Sequence, residues 1–248
     1  MERLDKQLAS TGRWSRREVK ELIRQGRVLV NGIPAGRPED KVETWDRLLV
    51  DGQEVDCAPF VYVMMYKPAG ILSATEDKRQ KTVVDLLPPE LQRRGLFPVG
   101  RLDKDTTGLL VLTDDGALAH ELLSPKKHVD KVYLARVEGQ VDQADVDALA
   151  CGMVLGDGLR CLPARLEPVG DGSRCLVTLR EGKYHQVKRM LAARGKPVVE
   201  LKRLSMGGLA LDGALKPGQW RFLEETETSK LREKAAPLNF LGEMNKKT

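Results

Sequence analysis

The stretch S-R-R-E-V-K-E-L-I-R-Q-G constrains the fold most strongly, because it marks both ends of a helix. Ser15 and Glu18 have the spacing of a capping box, in which each side chain accepts a hydrogen bond from the other's backbone amide. Apolar residues follow at the i, i+3, i+4 spacing of a helix with one buried face, namely Val19, Leu22 and Ile23. Gly26 suits the left-handed conformation that ends such a helix. We therefore predict a short amphipathic helix between Ser15 and Gly26.

The opposite face of this predicted helix is basic. It carries four cationic side chains, Arg16, Arg17, Lys20 and Arg24. Beyond the helix, Val28 and Val30 alternate into Asn31-Gly32, which is a strong signal for a two-residue hairpin turn. A helix with a basic outer face beside a short hairpin can lie against phosphates without burying its charges.

Positive charge is concentrated in two parts of the chain, although the formal net charge is only +5. Residues 1–37 hold nine basic and four acidic residues, and residues 183–203 hold seven basic residues and one acidic residue. Two basic patches suggest a polyanionic partner that is contacted at two places. Ordinary solvated charge is the alternative that charge alone leaves open.

About the first 58 residues resemble the alpha-L RNA-binding motif of a small-subunit ribosomal protein, tyrosyl-tRNA synthetases and several RNA-modifying enzymes. The matching stretches are R-L-D-K-Q-L-A, S-R-R-E-V-K-E-L-I-R-Q-G-R-V and V-N-G. The resemblance implies an RNA-binding domain over residues 1–58. It also implies that the basic helix face binds RNA, and it says nothing about catalysis.

The chain from Phe60 onward predicts a second, larger domain, after a turn-rich connection over residues 51–59. The predicted strands are Val61–Met65, Leu109–Leu112, Val132–Val137, Cys175–Leu179 and Val198–Leu201. The predicted helices are Ala117–Leu123, Asp142–Ala150 and His185–Arg194. This order lacks regular βαβ alternation, so we expect an α+β fold with a largely antiparallel mixed sheet. We place this domain at residues 60–230, with a last helix after about residue 224 and a charged tail at 231–248.

Several classes of protein are disfavoured by the sequence. The four cysteines lie far apart and only three histidines are present, so zinc or iron–sulfur spacing is missing and we expect no metal. The chain begins with M-E-R-L-D-K, where a signal peptide needs an apolar run, and no stretch is apolar for the length of a membrane span. We therefore expect a cytoplasmic protein with reduced thiols.

The most informative stretch for chemistry is G-R-L-D-K-D-T-T-G, residues 100–108, which directly precedes L-L-V-L. It places Asp103 in a polar, glycine-bounded loop at the edge of an apolar strand, where the backbone can approach a ligand. Aspartate-rich turns are common in proteins, so the spacing by itself leaves a purely structural turn open.

This stretch resembles the central motif of the RsuA-type and RluA-related pseudouridine synthases, in which the catalytic aspartate lies within R-L-D. Three further blocks match in order, namely K-P-A-G at 67–70, K-V-Y at 131–133 and E-G-K-Y-H-Q-V-K-R-M at 181–190. Together with the N-terminal module these blocks span nearly the whole chain. The resemblance implies a pseudouridine synthase of the RsuA type that isomerises uridine with no organic cofactor and no metal.

The resemblance also implies roles for individual residues. Asp103 is the expected catalytic carboxylate, which either attacks the nucleotide or abstracts a sugar proton. Lys188 is the expected cationic partner of Asp103, and Tyr133 is expected to pack beside the target base. The alternatives are a phosphate-binding or merely solvated lysine at position 188 and a core tyrosine at position 133. The remaining predicted RNA contacts in this domain are Arg101, Lys183, His185 and Arg189.

The expected partner is ribosomal RNA. H-Q-V-K-R-M and T-D-D-G resemble the branch that acts on the small subunit, so we expect one uridine of 16S rRNA, modified by a monomer within an assembly intermediate. Two alternatives stay open: the same chemistry on 23S rRNA, and a ribosome-associated RNA-binding protein that keeps the fold without turnover.

Overall fold

The computed structural model describes residues 1–124 and 129–233. The chain forms two compact units. The first comprises residues 1–61, 74–97 and 113–115, and the second comprises residues 62–73, 98–112 and the described residues from Gly116 onward. Residues 74–97 thus belong to the same unit as the N-terminal module. The sequence-based division at residues 58–60 stays a prediction.

The first unit consists of short elements. Its helices are α1 (Leu4–Ser10), α2 (Arg16–Arg24), a 3₁₀ turn at Val84–Leu86 and α3 (Pro89–Arg94). Its strands are β1 (Glu2–Arg3), β2 (Val28–Val30), β3 (Ile33–Pro34), β4 (Lys41–Val42), β5 (Leu48–Val50) and β6 (Gln53–Glu54). Strand β1 pairs with β4, and the order β3-β2-β5-β6 forms a small antiparallel sheet.

Helix α2 confirms the predicted capping box. The Ser15 amide donates to Glu18 Oε2 at 2.6 Å, and the Glu18 amide donates to Ser15 Oγ at 3.3 Å. Gly26 adopts a φ of 68°, as expected after a helix end. Asn31 and Gly32 have φ values of 53° and 82°, which is the geometry that joins β2 and β3 in a two-residue hairpin.

The apolar face of α2 packs into the core of this unit. That core is formed by Leu4, Leu8, Val19, Leu22, Ile23, Val28, Val42, Leu48, Val50 and Val55. The predicted basic residues of α2 all lie on its exposed side. The helix therefore buries its apolar stripe and leaves its cations in solvent, which is the arrangement that its periodicity predicts.

The second unit is built on a larger sheet. Its strands are β7 (Tyr62–Lys67), β8 (Phe97–Pro98), β9 (Thr107–Thr113), β10 (Lys131–Val137), β11 (Met153–Val154), β12 (Arg160–Cys161), β13 (Arg165–Val169), β14 (Arg174–Leu179), β15 (Val198–Met206), β16 (Leu209–Ala210) and β17 (Trp220–Phe222). Its helices are α4 (Gly116–Leu123), α5 (Gln143–Ala150), α6 (Gln186–Ala193) and α7 (Glu225–Lys230).

The strand order in the larger sheet is β13-β14-β10-β15-β9-β7-β17, with β16 beside β15 and β8 beside β9. Strands β11 and β12 pair with each other in a separate two-stranded sheet. Strands β15 and β9 pair in parallel, whereas β10 pairs antiparallel with both β14 and β15. The predicted α+β class with a largely antiparallel mixed sheet is confirmed. No helix within residues 1–124 and 129–233 is long and apolar enough to cross a membrane.

The sequence-based elements need corrections at several places. The strand predicted at Val198–Leu201 continues to Met206, and the elements after residue 60 that were not predicted include helix α3 and strands β8, β11, β12, β13, β16 and β17. Helix α3 nevertheless carries usable signals, since Pro occupies its first turn and Gly95 ends it with a φ of 80°. The last helix is confirmed as Glu225–Lys230, whereas the predicted tail falls almost wholly outside the described residues.

Candidate active site

A buried lysine anchors the loop between Gly100 and β9. The Lys67 side chain is fully buried at the end of β7, and its ammonium donates to three carbonyl oxygens. The acceptors are Pro68 at 3.0 Å, Lys104 at 3.2 Å and Thr106 at 2.9 Å. Burial lowers the pKa of Lys67 to about 8, while Asp105 and Asp103 act in the opposite direction. Lys67 therefore ties the loop to β7 by charge-assisted hydrogen bonds.

The same loop is held at two further points. Ser73 Oγ donates to the Leu102 carbonyl at 3.0 Å and accepts from the Leu102 amide at 3.1 Å. The Gly70 amide donates to the Lys104 carbonyl at 2.7 Å. The anchored residues, Leu102 and Lys104, flank Asp103, so the position of this carboxylate is fixed from both sides.

Gly108 allows β9 to lie directly against β15. It has a φ of 103°, and a Cβ at this position would lie 2.2 Å from the carbonyl oxygen of Arg203. The Arg203 side chain is buried, and its Nε donates to the Leu109 carbonyl at 2.8 Å. Only glycine fits this close parallel contact. The contact fixes the position of the start of β9 and of the loop before it.

The carboxylate of Asp103 faces two basic side chains. Its Oδ2 lies 3.3 Å from Lys188 Nζ, and its Oδ1 lies 3.4 Å from His185 Nε2. Lys188 Nζ also donates to Asp105 Oδ1 at 2.5 Å. This hydrogen bond holds the pKa of Asp105 below its usual value, against the effect of its partial burial. Asp103 is 26% exposed, so the carboxylate is reachable from solvent although it is paired.

The two basic partners come from α6 and the residue before it. Val187, Met190 and Leu191 bury the inner face of α6, as predicted, and Lys188 lies at the edge of that face. His185 precedes the helix in a left-handed conformation, with a φ of 51° and a ψ of 32°. This conformation is uncommon for a residue with a side chain, and such residues concentrate at functional sites.

Gln186 organises the turn that carries His185. Its side-chain amide donates to Glu181, and its Oε1 accepts from the Lys183 amide at 3.1 Å. Glu181 also accepts from the Leu162 amide at 2.8 Å and pairs with Lys183 Nζ at 2.9 Å. Burial would raise the pKa of Glu181, but these hydrogen bonds outweigh it and leave the pKa below the ordinary value. Gln186 is therefore a structural residue of the turn.

These residues surround one pocket of about 60 Å³. Its lining includes Arg101, Leu102, Asp103, Thr106, Tyr133, Leu179, Lys183, His185, Val187 and Leu201. Tyr133 lies on β10 and is buried, and Thr106 Oγ1 is buried without a hydrogen-bond partner among the described residues. The pocket opens to solvent, so a planar group can approach Asp103 from outside.

The pocket brings together six of the residues predicted from sequence: Arg101, Asp103, Tyr133, Lys183, His185 and, through its ion pair with Asp103, Lys188. Arg189 instead pairs with Asp157 at 2.5 Å. In the first unit, Arg17, Lys20 and Arg24 line an open groove of about 730 Å³, and Arg16 lies exposed on the same helix.

Several residues of the site were not singled out from sequence. Lys67 was noted only as part of a motif, and Ser73, Asp105 and Thr106 were given no role. Asp105 could have been found, because it lies two residues from Asp103 in a loop and so can share a cation with it. Ser73 carries no local signal, since its partner is a backbone group 29 residues away.

A carboxylate held against a lysine and a histidine, beside a tyrosine and an apolar wall, can act as a nucleophile or as a base toward a bound planar group. The family profile described as RNA pseudouridylate synthase matches residues 61–193, which include the whole pocket except Leu201. The chain belongs to this family. A second profile, described as S4 domain, matches residues 2–48, so the synthase carries an RNA-binding domain at its N-terminal end.

Individual relatives agree with the family assignment. The synthase is 42% identical to "Ribosomal small subunit pseudouridine synthase A" of Pseudomonas aeruginosa, a match that covers 91% of this chain and 98% of the relative. It is 40% identical to "Ribosomal large subunit pseudouridine synthase B" of Bacillus subtilis, over 94% and 96% of the two chains. A crystal structure described as a pseudouridylate synthase matches with a TM-score of 0.66 and 35% identity, over 93% of this chain and 100% of the other. The synthase is therefore an RNA-modifying isomerase that converts uridine to pseudouridine.

Proposed function

We propose that this synthase isomerises one uridine of 16S ribosomal RNA and that Asp103 is its catalytic carboxylate. The observation that carries the proposal is the position of Asp103 between Lys188 and His185 in an anchored loop beside Tyr133. A carboxylate in a closed pocket tends to take up a proton unless a cation favours its ionised form. Lys188 supplies that cation.

The reaction breaks the bond between the sugar C1′ and N1 of uracil, turns the base, and joins C1′ to C5. The proton on C5 is then released, and N1 gains a proton, so the reaction is a redox-neutral isomerisation. In one route Asp103 attacks the nucleotide, and in the other it removes a proton from the sugar; both routes start from the ionised carboxylate.

Tyr133 is the proposed contact of the extruded base. Its ring can stack on uracil, and its hydroxyl can accept or donate a proton when C5 loses its proton. Thr106 adds a buried hydroxyl in the same pocket, and this hydroxyl can bond to a polar edge of uracil. A stacked base cannot reach such a pocket, so extrusion from the RNA precedes the chemistry and costs a few kcal/mol.

RNA binding would involve both basic patches. The exposed face of α2, with Arg16, Arg17, Lys20 and Arg24, is suited to phosphates of the same RNA. Around the pocket, Arg101, Lys183 and His185 are the proposed contacts of the target nucleotide. Arg189 joins them when phosphate replaces its present partner, Asp157. We further propose that the enzyme acts as a cytoplasmic monomer on a ribosomal assembly intermediate.

The choice of 16S rRNA rests on the third motif, H-Q-V-K-R-M, and on the name of the Pseudomonas aeruginosa relative. A second candidate is a uridine of 23S rRNA, which the name of the Bacillus subtilis relative favours at nearly equal identity. Both candidates require the same pocket chemistry, so they differ only in the RNA that the enzyme selects.

Mapping pseudouridines by carbodiimide primer extension in a strain that lacks the gene distinguishes the candidates. We expect one stop to disappear from 16S rRNA, to return with the wild-type gene, and to stay absent with the gene for Asp103→Asn. Loss of a stop from 23S rRNA would select the second candidate. An unchanged set of stops in both RNAs would contradict the proposal.

A further inference from the structure

We propose that Tyr184 and His185 form a stacking platform for an unpaired nucleobase adjacent to the target uridine. The proposal deepens the proposed function, since it assigns a second base-binding position beside the same pocket. Tyr184 is not among the site residues predicted from the sequence. The ligand that we propose for it is a single unstacked base of the RNA strand.

The first observation is the exposure of Tyr184. Its ring lies in the turn before α6, and 73% of the residue is exposed. One ring face is covered by His185, with centroids 3.8 Å apart and planes inclined by 18°. An aromatic ring kept in solvent on top of another ring offers its outer face to a further planar group, and nucleobases stack readily on such rings.

The second observation is the way in which His185 is fixed. Its backbone has a φ of 51° and directly precedes α6, so the imidazole is aimed by a conformation that residues with side chains rarely adopt. The imidazole Nε2 lies 3.4 Å from Asp103 Oδ1. Only the rings of Tyr184 and His185 therefore separate the outer face of Tyr184 from the Asp103 carboxylate, which acts on the target nucleotide.

The third observation is the composition of the pocket rim. Tyr184 adjoins His185 but does not line the pocket, so a base that stacks on Tyr184 is a neighbour of the target uridine and not the target itself. Lys183 and Arg101, on the rim, are suited to the phosphates that join these nucleotides. A neighbouring base that stacks on Tyr184 would replace the stacking that it loses when the uridine leaves the strand.

The platform requires the aromatic ring at position 184 and does not require its hydroxyl group. The Tyr184 hydroxyl has no assigned role in the platform, so Tyr184→Phe should behave like the wild type and Tyr184→Ala should not. Phe222 provides a matched control, because it is also an exposed aromatic residue, at 55%, and lies on strand β17.

The test uses the full-length protein and an RNA hairpin whose loop carries one uridine with 5-iodouridine on either side. Irradiation joins 5-iodouridine to an aromatic ring that stacks on it, and peptide mass spectrometry locates the link. We expect the link at Tyr184 in the wild type, at the same position in Tyr184→Phe, and undiminished in Phe222→Ala. Links that lie elsewhere, or that persist unchanged in Tyr184→Ala, would overturn the proposal.

Kinetics on the rRNA fragment that carries the mapped uridine give a second readout. Loss of one base stack should raise KM about tenfold or more in Tyr184→Ala, with a smaller change in kcat, and Tyr184→Phe should restore it. An equal KM in wild type and Tyr184→Ala would also overturn the proposal. Cross-linking requires no turnover, so the platform is tested even if the enzyme modifies neither rRNA.

Discussion

The Lys188 ammonium lies 3.3 Å from Asp103 Oδ2 and, at the same time, 2.5 Å from Asp105 Oδ1. The cation that faces the proposed catalytic carboxylate is therefore held by a second carboxylate that is largely exposed. Asp105 keeps Lys188 in place while Asp103 retains a longer, weaker contact. This division leaves Asp103 beside a cation yet free to engage a nucleotide.

Lys188→Met should slow single-turnover pseudouridine formation by about 100-fold, because the carboxylate loses its cationic partner in the pocket. Lys188→Arg keeps the charge and should lose no more than about tenfold. The formation rate on saturating RNA measures both effects. Equal rates for the methionine variant and the wild type would show that the ion pair has no part in turnover.

Lys67 predicts a specific dependence of stability on pH. Burial lowers its pKa in the folded protein to about 8, whereas in the unfolded chain it keeps its ordinary value of 10.5. Between these values the unfolded state binds more protons, so the free energy of unfolding rises with pH. The rise from this one group is at most about 1.4 kcal/mol per pH unit.

Urea denaturation of the wild type and of Lys67→Met between about pH 7.5 and 10 isolates this contribution. We expect the wild type to gain stability relative to the variant as the pH rises, since other titrating groups are common to both proteins. Parallel curves over this range would mean that Lys67 titrates in the folded protein as it does in the unfolded chain.

Gly108→Ala should destabilise the protein by roughly 3 kcal/mol or more, since its Cβ would overlap the backbone of Arg203 and its φ is positive. Gly182→Ala is a suitable comparison, because nothing lies within 4 Å of a Cβ at that position. Thermal unfolding of both variants measures the difference. Similar melting temperatures for the two would contradict the close packing of β9 against β15.

The basic face of α2 should determine part of the salt dependence of RNA binding. Replacing Arg16, Arg17, Lys20 and Arg24 together by glutamine should weaken binding and flatten the slope of log Kd against log salt concentration. The expected change is about 0.7 for each lost contact with a single-stranded phosphate. A variant with weaker binding but an unchanged slope would assign these residues a structural role instead.

Local patterns predicted the elements whose signals lie within one turn of chain. The capping box at Ser15 and the Asn31-Gly32 turn both correspond to the observed backbone. The loop that carries Asp103 was also placed correctly before an apolar strand. In the first two cases neighbouring residues alone determine the structure, so a single sequence is sufficient. The loop at Asp103 is held by Lys67, Gly70 and Ser73, which lie elsewhere in the chain.

Other features depend on partners distant in the chain. Arg203 reads as a polar residue that ends a strand, but β15 continues past it because the guanidinium reaches the Leu109 carbonyl. Lys67 is noted in the sequence only as part of the K-P-A-G motif, yet it is buried and donates to the Lys104 and Thr106 carbonyls of another loop as well as to the carbonyl of its neighbour Pro68. The acceptors at Leu109, Lys104 and Thr106 cannot be identified from residues near their donors in sequence.

The left-handed backbone of His185 was not predicted either. Histidine gives no local reason for this conformation, which arises from the hydrogen bonds of Gln186 to Glu181 and Lys183 on the same turn. The resemblance to a known family identified the stretch as important. The geometry shows how its residues reach the carboxylate.

The central claim is that Asp103 carries out the chemistry, and Asp103→Asn tests it most directly, since asparagine keeps the shape of the side chain and removes its charge. Pseudouridine formation on the mapped rRNA fragment should fall by at least about 1,000-fold, as expected when an essential nucleophile or base is lost. The affinity for the same RNA should stay within a few-fold of the wild type. Undiminished pseudouridine formation by this variant would contradict the account.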